Sequence, residues 1–351
     1  QCTQVCILVE SGMEQKKILR TITRKDIAIE AGVTETIVSY VINGNRYVKE
    51  EKRKKVEEAI ARLNYRPNSM ARALKGKKSN HILFVADDIK GEYFGKLISE
   101  IDSLAYKEDY FITLCADHQD EDFVNRIYSK FFDGIVIGSA SFPLHNIQRL
   151  IDADIPIVLL EIRDYSSITG VYGLINTGLY EGARRVVRTL YERGRRRLLF
   201  LDRVSTSGNW SSMDDWRLKG FTDQCNVYQL EPVVLSGCST EDELSAKIID
   251  LLASGFRPDG IFGRNDPIAL VGMQACQRMG FNVPQDISVI GFDNTRLCRF
   301  SSPTLTSVEI DQQEIARCVM QMMMSLIDNR SSFEKRLEVY LDTKVVMRES
   351  V

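Results

Sequence analysis

The chain has 351 residues, 44% hydrophobic and 27% charged, with a net charge of −2. That length exceeds one small domain and fits one small plus one large domain. No apolar run of about 18 residues is present, which argues against a membrane-spanning helix, and the opening segment Gln1–Gly12 lacks the basic start and long apolar stretch of a secretory signal.

Met13 is the expected natural start, with the twelve residues before it a vector or upstream remnant and residues 1–20 a disordered or vector-derived tail. The eight cysteines, at 2, 6, 115, 225, 238, 276, 298 and 318, form no C-x-x-C pair. Scattered in this way they read as small buried hydrophobes of a reducing cytoplasm. His81, His118 and His145 have no metal-ligand spacing, so no metal and no cofactor are expected. The charge is unevenly placed. Residues 14–78 carry 17 Lys and Arg against 8 Asp and Glu, a net +9, and residues 79–351 carry 29 against 39, a net −10. A basic head on an acidic body points the head at a polyanion.

Within the head, Thr23 opens a helix as its cap, with Asp26 three residues on to answer the free amides. Ile27 and Ala31 share one face, and Gly32 ends the helix in a short turn. Thr34 starts a second helix, Glu35 to Ile42, whose apolar face is Val38, Val41 and Ile42. Asn43-Gly44-Asn45 closes it. A third helix is expected from about Glu50 to Leu63, with Val56, Ile60 and Leu63 on one side. Two short helices around a Gly-containing turn, propped by a third, make a helix-turn-helix. The basic stretch Asn64 to Lys78 follows, and Pro67 suits the first turn of a short, marginal helix.

The segments T-R-K-D-I-A-I-E-A-G-V-T-E-T-I-V-S-Y-V-I-N-G and L-N-Y-R-P-N-S-M-A-R-A-L resemble the LacI/GalR family of bacterial repressors, and the resemblance continues through the rest of the chain. It implies that Glu35, Thr36 and Tyr40 face bases from the second helix. It also places Thr23, Thr34, Ser39 and Asn45 at the DNA, the last two as phosphate contacts or turn caps. It further implies a hinge helix from Pro67 to Lys75, with Asn68, Ala71 and Arg72 at the duplex and Leu74 wedged into a minor-groove base step. Other readings stand beside these: Thr36 as a solvated helix residue, Tyr40 packed on sugar or phosphate, and Leu74 as a core leucine. Tyr40 stands where many relatives have Arg. Glu35 is acidic in a phosphate-rich setting, where it can accept from cytosine N4. Lys49 replaces a common Ser cap at a small cost in stability.

From His81 onward strands and helices alternate. Continuous apolar runs such as Ile82-Leu-Phe-Val-Ala86 are typical of parallel strands buried on both faces. The first half comprises strands at His81–Ala86, Tyr110–Cys115, Gly134–Gly138 and Pro156–Glu161. The second begins with Gly173-Leu-Ile and continues through Arg197–Leu201, Pro232–Leu235, Gly260–Phe262 and Ile287–Gly291. A strand Leu305–Ile310, a helix near Gln312–Ile327 and one final strand near Arg336–Met347 complete the tail. The expected fold is thus an N-terminal all-α helix-turn-helix domain (21–65), a hinge helix and linker (66–79) and a two-lobed α/β domain of parallel sheets (80–351). By resemblance this last domain is like the periplasmic binding proteins. Its first lobe is expected at about 80–162 and 294–328, its second at about 163–293 and 329–351.

Ligands of such sheets sit beyond the carboxyl ends of the strands. The groups there are Glu161-Ile-Arg163, Trp216-Arg217, Arg264-Asn265-Asp266 and Phe292-Asp293-Asn294, and Arg with carboxylates and amides grips a polyhydroxylated or heterocyclic ligand. The resemblance carries effector contacts onto Arg217, Asn265 and Asp293, and more weakly onto Glu161 and Phe94. Structural roles compete: Arg217 pairing with Asp214, Asp266 as a helix cap, Asp293 in a turn, and Trp210 and Trp216 as packing rather than stacking surfaces. No P-loop, no G-x-G-x-x-G after a strand and no G-x-S-x-G occurs, so a binding protein is expected and not an enzyme. The implied partners are pseudo-palindromic operator DNA, a small effector such as a sugar, and a second copy of the chain. A solute-binding protein without gene regulation and a sugar-metabolising enzyme are the alternatives.

Overall fold

The computed structural model describes residues 22–44, 46–65, 78–87, 89–118, 121–129, 132–206, 208–212 and 214–351. Two compact units divide at Lys77 and Lys78. The expected hinge helix, with Asn68, Ala71, Arg72 and Leu74, lies outside the described residues, as do Asn45 and the tail before Ile22.

The first unit holds α1 (Arg24–Ala31), α2 (Glu35–Asn43) and α3 (Glu50–Arg62). Thr23 and Asp26 form the reciprocal capping box read from the sequence, and Gly32 ends α1 in the left-handed region at φ 63°. Ile27, Val38, Val56 and Ala59 are fully buried between the three helices. Each large apolar side chain so buried contributes about 1.5–3 kcal/mol. Arg62 on α3 pairs with Glu30 on α1 at 2.8 Å. Lys49 makes no side-chain cap for α3, as expected for a residue with no acceptor.

The second unit runs β1 (His81–Ala86), α4 (Glu92–Lys107), β2 (Phe111–Ala116), α5 (Glu121–Ser129), β3 (Gly134–Gly138), α6 (Leu144–Asp152), β4 (Ile157–Leu160), β5 (Gly173–Asn176) and α7 (Leu179–Glu192). Next come β6 (Leu198–Leu201), α8 (Trp216–Val227), β7 (Val233–Leu235), α9 (Glu241–Ala253), β8 (Gly260–Gly263), α10 (Asp266–Arg278) and β9 (Ser288–Phe292). The chain finishes with α11 (Leu297–Phe300), β10 (Thr306–Ile310), α12 (Gln312–Asn329), β11 (Leu337–Tyr340) and β12 (Thr343–Val346).

Two six-stranded sheets result, ordered β11-β5-β4-β3-β1-β2 and β12-β10-β9-β8-β6-β7. Every pairing is parallel except β10 with β12. Three expectations about lobe membership are corrected. The strand at Gly173–Asn176 pairs with β4 in the first sheet rather than opening the second. The strand at Thr306–Ile310 pairs with β9 in the second sheet and not with the first lobe. The single final strand is two strands, one in each sheet. Apolar periodicity marks a buried strand but not its partner, and these pairings join segments far apart in sequence. The chain therefore passes between the lobes three times: after β5, after β10 and after β11.

The order in each sheet reverses at one point, between β1 and β3 and again between β6 and β8. Such switch points open a crevice at the carboxyl ends of the strands. Asp87 and Ser139 follow β1 and β3, while Asp202-Arg203 and Arg264 follow β6 and β8.

Glycine allows the closest helix contact. A Cβ on Gly220 of α8 would strike the Tyr180 carbonyl oxygen of α7. We expect Gly220→Ala to force the two helices apart and lower stability by about 1–3 kcal/mol. Urea denaturation checks this; an unchanged midpoint would mean the helices separate without cost.

Candidate functional site

The head presents Glu35 and Thr36 exposed at the first turn of α2. Thr34 is the N-cap, accepting from the Ile37 amide. Glu35 there also sits favourably against the positive end of the helix dipole. Tyr40 is half-buried, and the Arg46 guanidinium lies 5.2 Å from its ring centroid. Ser39 accepts from Asn43 Nδ2 at 3.0 Å, so its hydroxyl serves the end of its own helix. Thr23 is exposed, and its side chain is engaged with Asp26.

In the second unit two of the five expected ligand residues, Arg217 and Asp293, are in direct contact, and none of the five lines the cavity between the lobes. Arg217 and Asp293 meet at 3.0 Å with both side chains buried, and the Arg217 guanidinium stands 4.6 Å from the Phe292 ring centroid. Arg217 thus pairs with Asp293, not with Asp214. Asp293 is held at φ 97°, an uncommon conformation for a residue with a Cβ. Burial outweighs Arg217 and leaves the Asp293 carboxyl above its ordinary range. Asn265, and not Asp266, caps α10 by accepting from the Ile268 amide. Asp266 is fully buried under Thr295 and Ser307, and burial together with Asp293 pushes it up to about 6. Glu161 is half-buried; burial raises its carboxyl against the opposing hydrogen bond from Asn176. Phe94 packs edge-on against Phe84 and Tyr93.

That cavity lies at the two switch points. It measures about 240 Å³. Ala140, Ser141 and Arg163 line it from the first lobe, and Arg203, residues 208–212, Asp214 and Asp215, all of the segment after β6, line it from the second. That segment joins β6 to α8 over 14 residues, whereas β8 reaches α10 over two. Its end is fixed by Asp215, which caps α8 by accepting from the amides of Arg217 and Leu218. The same carboxylate binds Arg264 at 2.6 Å and Arg203 at 3.1 Å. Burial disfavours its charge, but Arg264, Arg203 and Arg217 together hold it well below the usual carboxylate range. Across the lobes Arg163 pairs with Asp214 at 2.7 Å, and the Asp164 amide donates to the Asp214 carbonyl. Arg203 faces Asp87 of the first lobe at 3.6 Å. Trp210 donates its indole N–H to the Cys238 carbonyl.

Sequence reasoning named Arg163 and Arg264 as neighbours of strand ends, and Asp214 only as a partner for Arg217. It missed Arg203 and the long segment after β6, although Arg203 stands in the same kind of position. No group of His, Cys, Asp or Glu suited to a metal occurs among the described residues, and no described helix is long and apolar enough to cross a membrane.

Residues 23–68 match the family model of bacterial regulatory proteins of the lacI family, and residues 187–351 match a periplasmic binding protein-like domain. The HTH-type transcriptional repressor PurR of Edwardsiella ictaluri is 30% identical over 338 residues, covering 94% of this chain and 96% of the relative. The chain belongs to the LacI family. It is a DNA-binding transcriptional regulator with an effector-binding domain. PurR of Pectobacterium carotovorum is likewise 30% identical, over 91% of this chain and 94% of its own. Among solved structures the lac repressor dimer bound to operator and the anti-inducer ONPF superposes with a TM-score of 0.81 at 23% identity, covering 94% of this chain and 99% of that one. A LacI-family regulator from Enterococcus faecium with bound ribose gives 0.66 at 19% identity, over 77% and 98%.

Replacing Thr23 by Ala removes the acceptor for the Asp26 amide and breaks the capping box. We expect a loss of about 1 kcal/mol in α1, read as faster amide exchange at residues 26–28. Unaltered exchange would leave Thr23 no structural role and strengthen a DNA contact.

Proposed function

We propose that this LacI-family regulator is a dimeric repressor whose operator affinity is set by a small effector bound between the two lobes. The observation that carries the effector reading is the cavity at both switch points, walled by side chains from each lobe and crossed by the Arg163–Asp214 pair. An occupant of such a place contacts both lobes at once, and a ligand shifts a two-state equilibrium only through its differential affinity for the two states. In this reading α2 enters the major groove, with Glu35, Thr36 and Tyr40 toward base edges and Thr23, Thr34, Ser39 and Asn45 near the backbone. Asn68, Ala71, Arg72 and Leu74 belong to a hinge helix that orders on DNA, and Leu74 opens a minor-groove step. Arg217 and Asp293 brace the wall of the cleft, beside Glu161, Asn265 and Phe94. The matched PurR repressors make a catalytic role the weaker reading.

Two half-sites of a pseudo-palindrome require two heads. A second copy also suits the apolar surface of the body. Leu270, Met273, Leu297 and Phe300 line a groove of about 290 Å³, and Phe300 is 78% exposed. Phe111 and Leu114 are exposed on the edge strand of the first sheet.

Phe300→Glu should yield a monomer in sedimentation equilibrium and weaken operator binding on the order of a hundredfold, because the second head loses its effective concentration. A persistent dimer of unchanged affinity would remove this face from the interface. The 17 basic residues of positions 14–78 lead to a second expectation. Operator affinity should fall on the order of a thousandfold between 50 and 200 mM salt if about six phosphates are neutralised. A flat salt response in fluorescence anisotropy would contradict docking through the basic head.

A further inference from the structure

The polar groups around the cleft are unequally satisfied. Asp87 accepts from the Ser139 and Ser141 hydroxyls and the Ala140 amide, all from its own lobe. Asp202 accepts from the Arg203 amide, the Ser211 amide and hydroxyl and the Ser236 hydroxyl. Asp215 is taken up by two backbone amides and two guanidiniums. These carboxylates are saturated. The guanidiniums are not, although each offers five donors. Arg163 donates to the Ala140 carbonyl and to Asp214, and its buried Nε has no partner. Arg203 makes one close bond, to Asp215, and its buried Nε also has no partner. Arg264 lies beneath, bound to the Ser211 hydroxyl and sharing Asp215 with Arg203.

The site is therefore rich in unused donors and poor in free acceptors. An occupant must supply acceptors, and an oxyanion offers several at once to the unpartnered Nε groups of Arg163 and Arg203. Burial and the like charge of Arg264 draw the Arg203 pKa down to about 10 against the opposing pull of Asp215, Asp87 and Asp202. An amine would face the Arg163 and Arg203 guanidiniums, and the lining carboxylates Asp214 and Asp215 are already paired with guanidiniums. The remaining lining is polar: Ser141, Ser211, Ser212 and Asn209, with the Trp210 indole beside them. Volume narrows the choice further, since about 240 Å³ is below the range usual for drug-sized ligands and suits a single compact ring.

We propose that the effector is a compact polyhydroxylated molecule bearing an oxyanion, phosphate or carboxylate, gripped by Arg163 and Arg203 above Arg264. This rests on the reading of the interlobe cleft as the effector site. The oxyanion meets the two guanidiniums from opposite lobes, and the hydroxyl groups meet the serines and Asn209. Asp214, about one-third exposed, holds Arg163 when no ligand does and is the carboxylate that the oxyanion replaces. Bidentate guanidinium contacts suit either anion.

The test uses the full-length protein and four matched panels: neutral aldoses and ketoses, their phosphates, their aldonic and uronic acids, and the corresponding amino sugars, with inorganic phosphate as control. Thermal melting and operator affinity are both read. A phosphorylated or acidic member should raise the melting temperature by ~5 °C at saturation. Its neutral parent, the amino sugar and inorganic phosphate should not. Arg203→Gln and Arg163→Gln should each abolish the shift, and the two anionic panels tell phosphate from carboxylate. A neutral or amino sugar that stabilises the protein and both variants equally overturns the proposal, as does inorganic phosphate matching the sugar phosphates or no response from any anionic member. The underlying regulatory reading fails separately. An anionic ligand that shifts melting without moving operator affinity leaves the anion site and removes the switch, whereas a neutral sugar that moves operator affinity keeps the switch and removes the anion.

Discussion

One buried carboxylate, Asp215, organises the cleft. It caps α8, ties Arg203 and Arg264 to the end of that helix, and lies next to the Asp214 that reaches Arg163 in the first lobe. Placing a carboxylate with 3% exposure costs several kcal/mol of lost hydration unless cations and amide donors replace the water. Here they do: Arg264, itself buried, and Arg203 both bind the carboxylate, and two backbone amides donate to it. The arrangement sets where α8 begins and hence where Arg217 stands against Asp293.

The same network spans the lobes. Covalent connections cross between them three times, and the polar contacts Arg163–Asp214 and Arg203–Asp87 cross as well. The Arg296 amide donates to Glu92 at another point of the same boundary. These polar contacts supplement a buried apolar cluster that runs through both lobes, from Ile82, Phe84 and Val136 to Phe200, Phe262 and Ile290. A cleft ligand biases the state of the whole protein only through contacts that differ between two relative positions of the lobes. In the proposed mechanism the bias reaches DNA through the segment around Pro67, which the sequence alone leads one to expect as a short, marginal helix.

Much of the head was readable from residues alone because its determinants are local. The Thr23–Asp26 box, the left-handed Gly32 and the Thr34 cap each act within four residues of chain, and the apolar face of each helix follows from its period. In the body, element type and approximate bounds were equally legible, from runs such as Ile82–Ala86. Cap assignment at β8 was less so: Asn265 and Asp266 are both good caps by type, and the choice depended on Asp266 being claimed by Ser307 and Thr295, 41 and 29 residues away. The pairing of Arg217 with Asp293 instead of Asp214 has the same cause. The segment 202–215 has no periodicity to read, so its place in the cleft wall had no signal beyond Arg203 following a strand.

Sequence by itself determined a basic three-helix head with its caps, an alternating α/β body, and the positions after strands where binding groups gather. These follow from propensity, periodicity and short-range hydrogen bonding. Tertiary structure alone decided which sheet received the strands at 173–176 and 306–310, that the last strand is two, and that Arg163 and Arg203 converge on one cavity while Arg264 shares Asp215 with Arg203. Those outcomes depend on contacts between residues tens to hundreds of positions apart, where burial and charge compensation choose among partners that look alike along the chain.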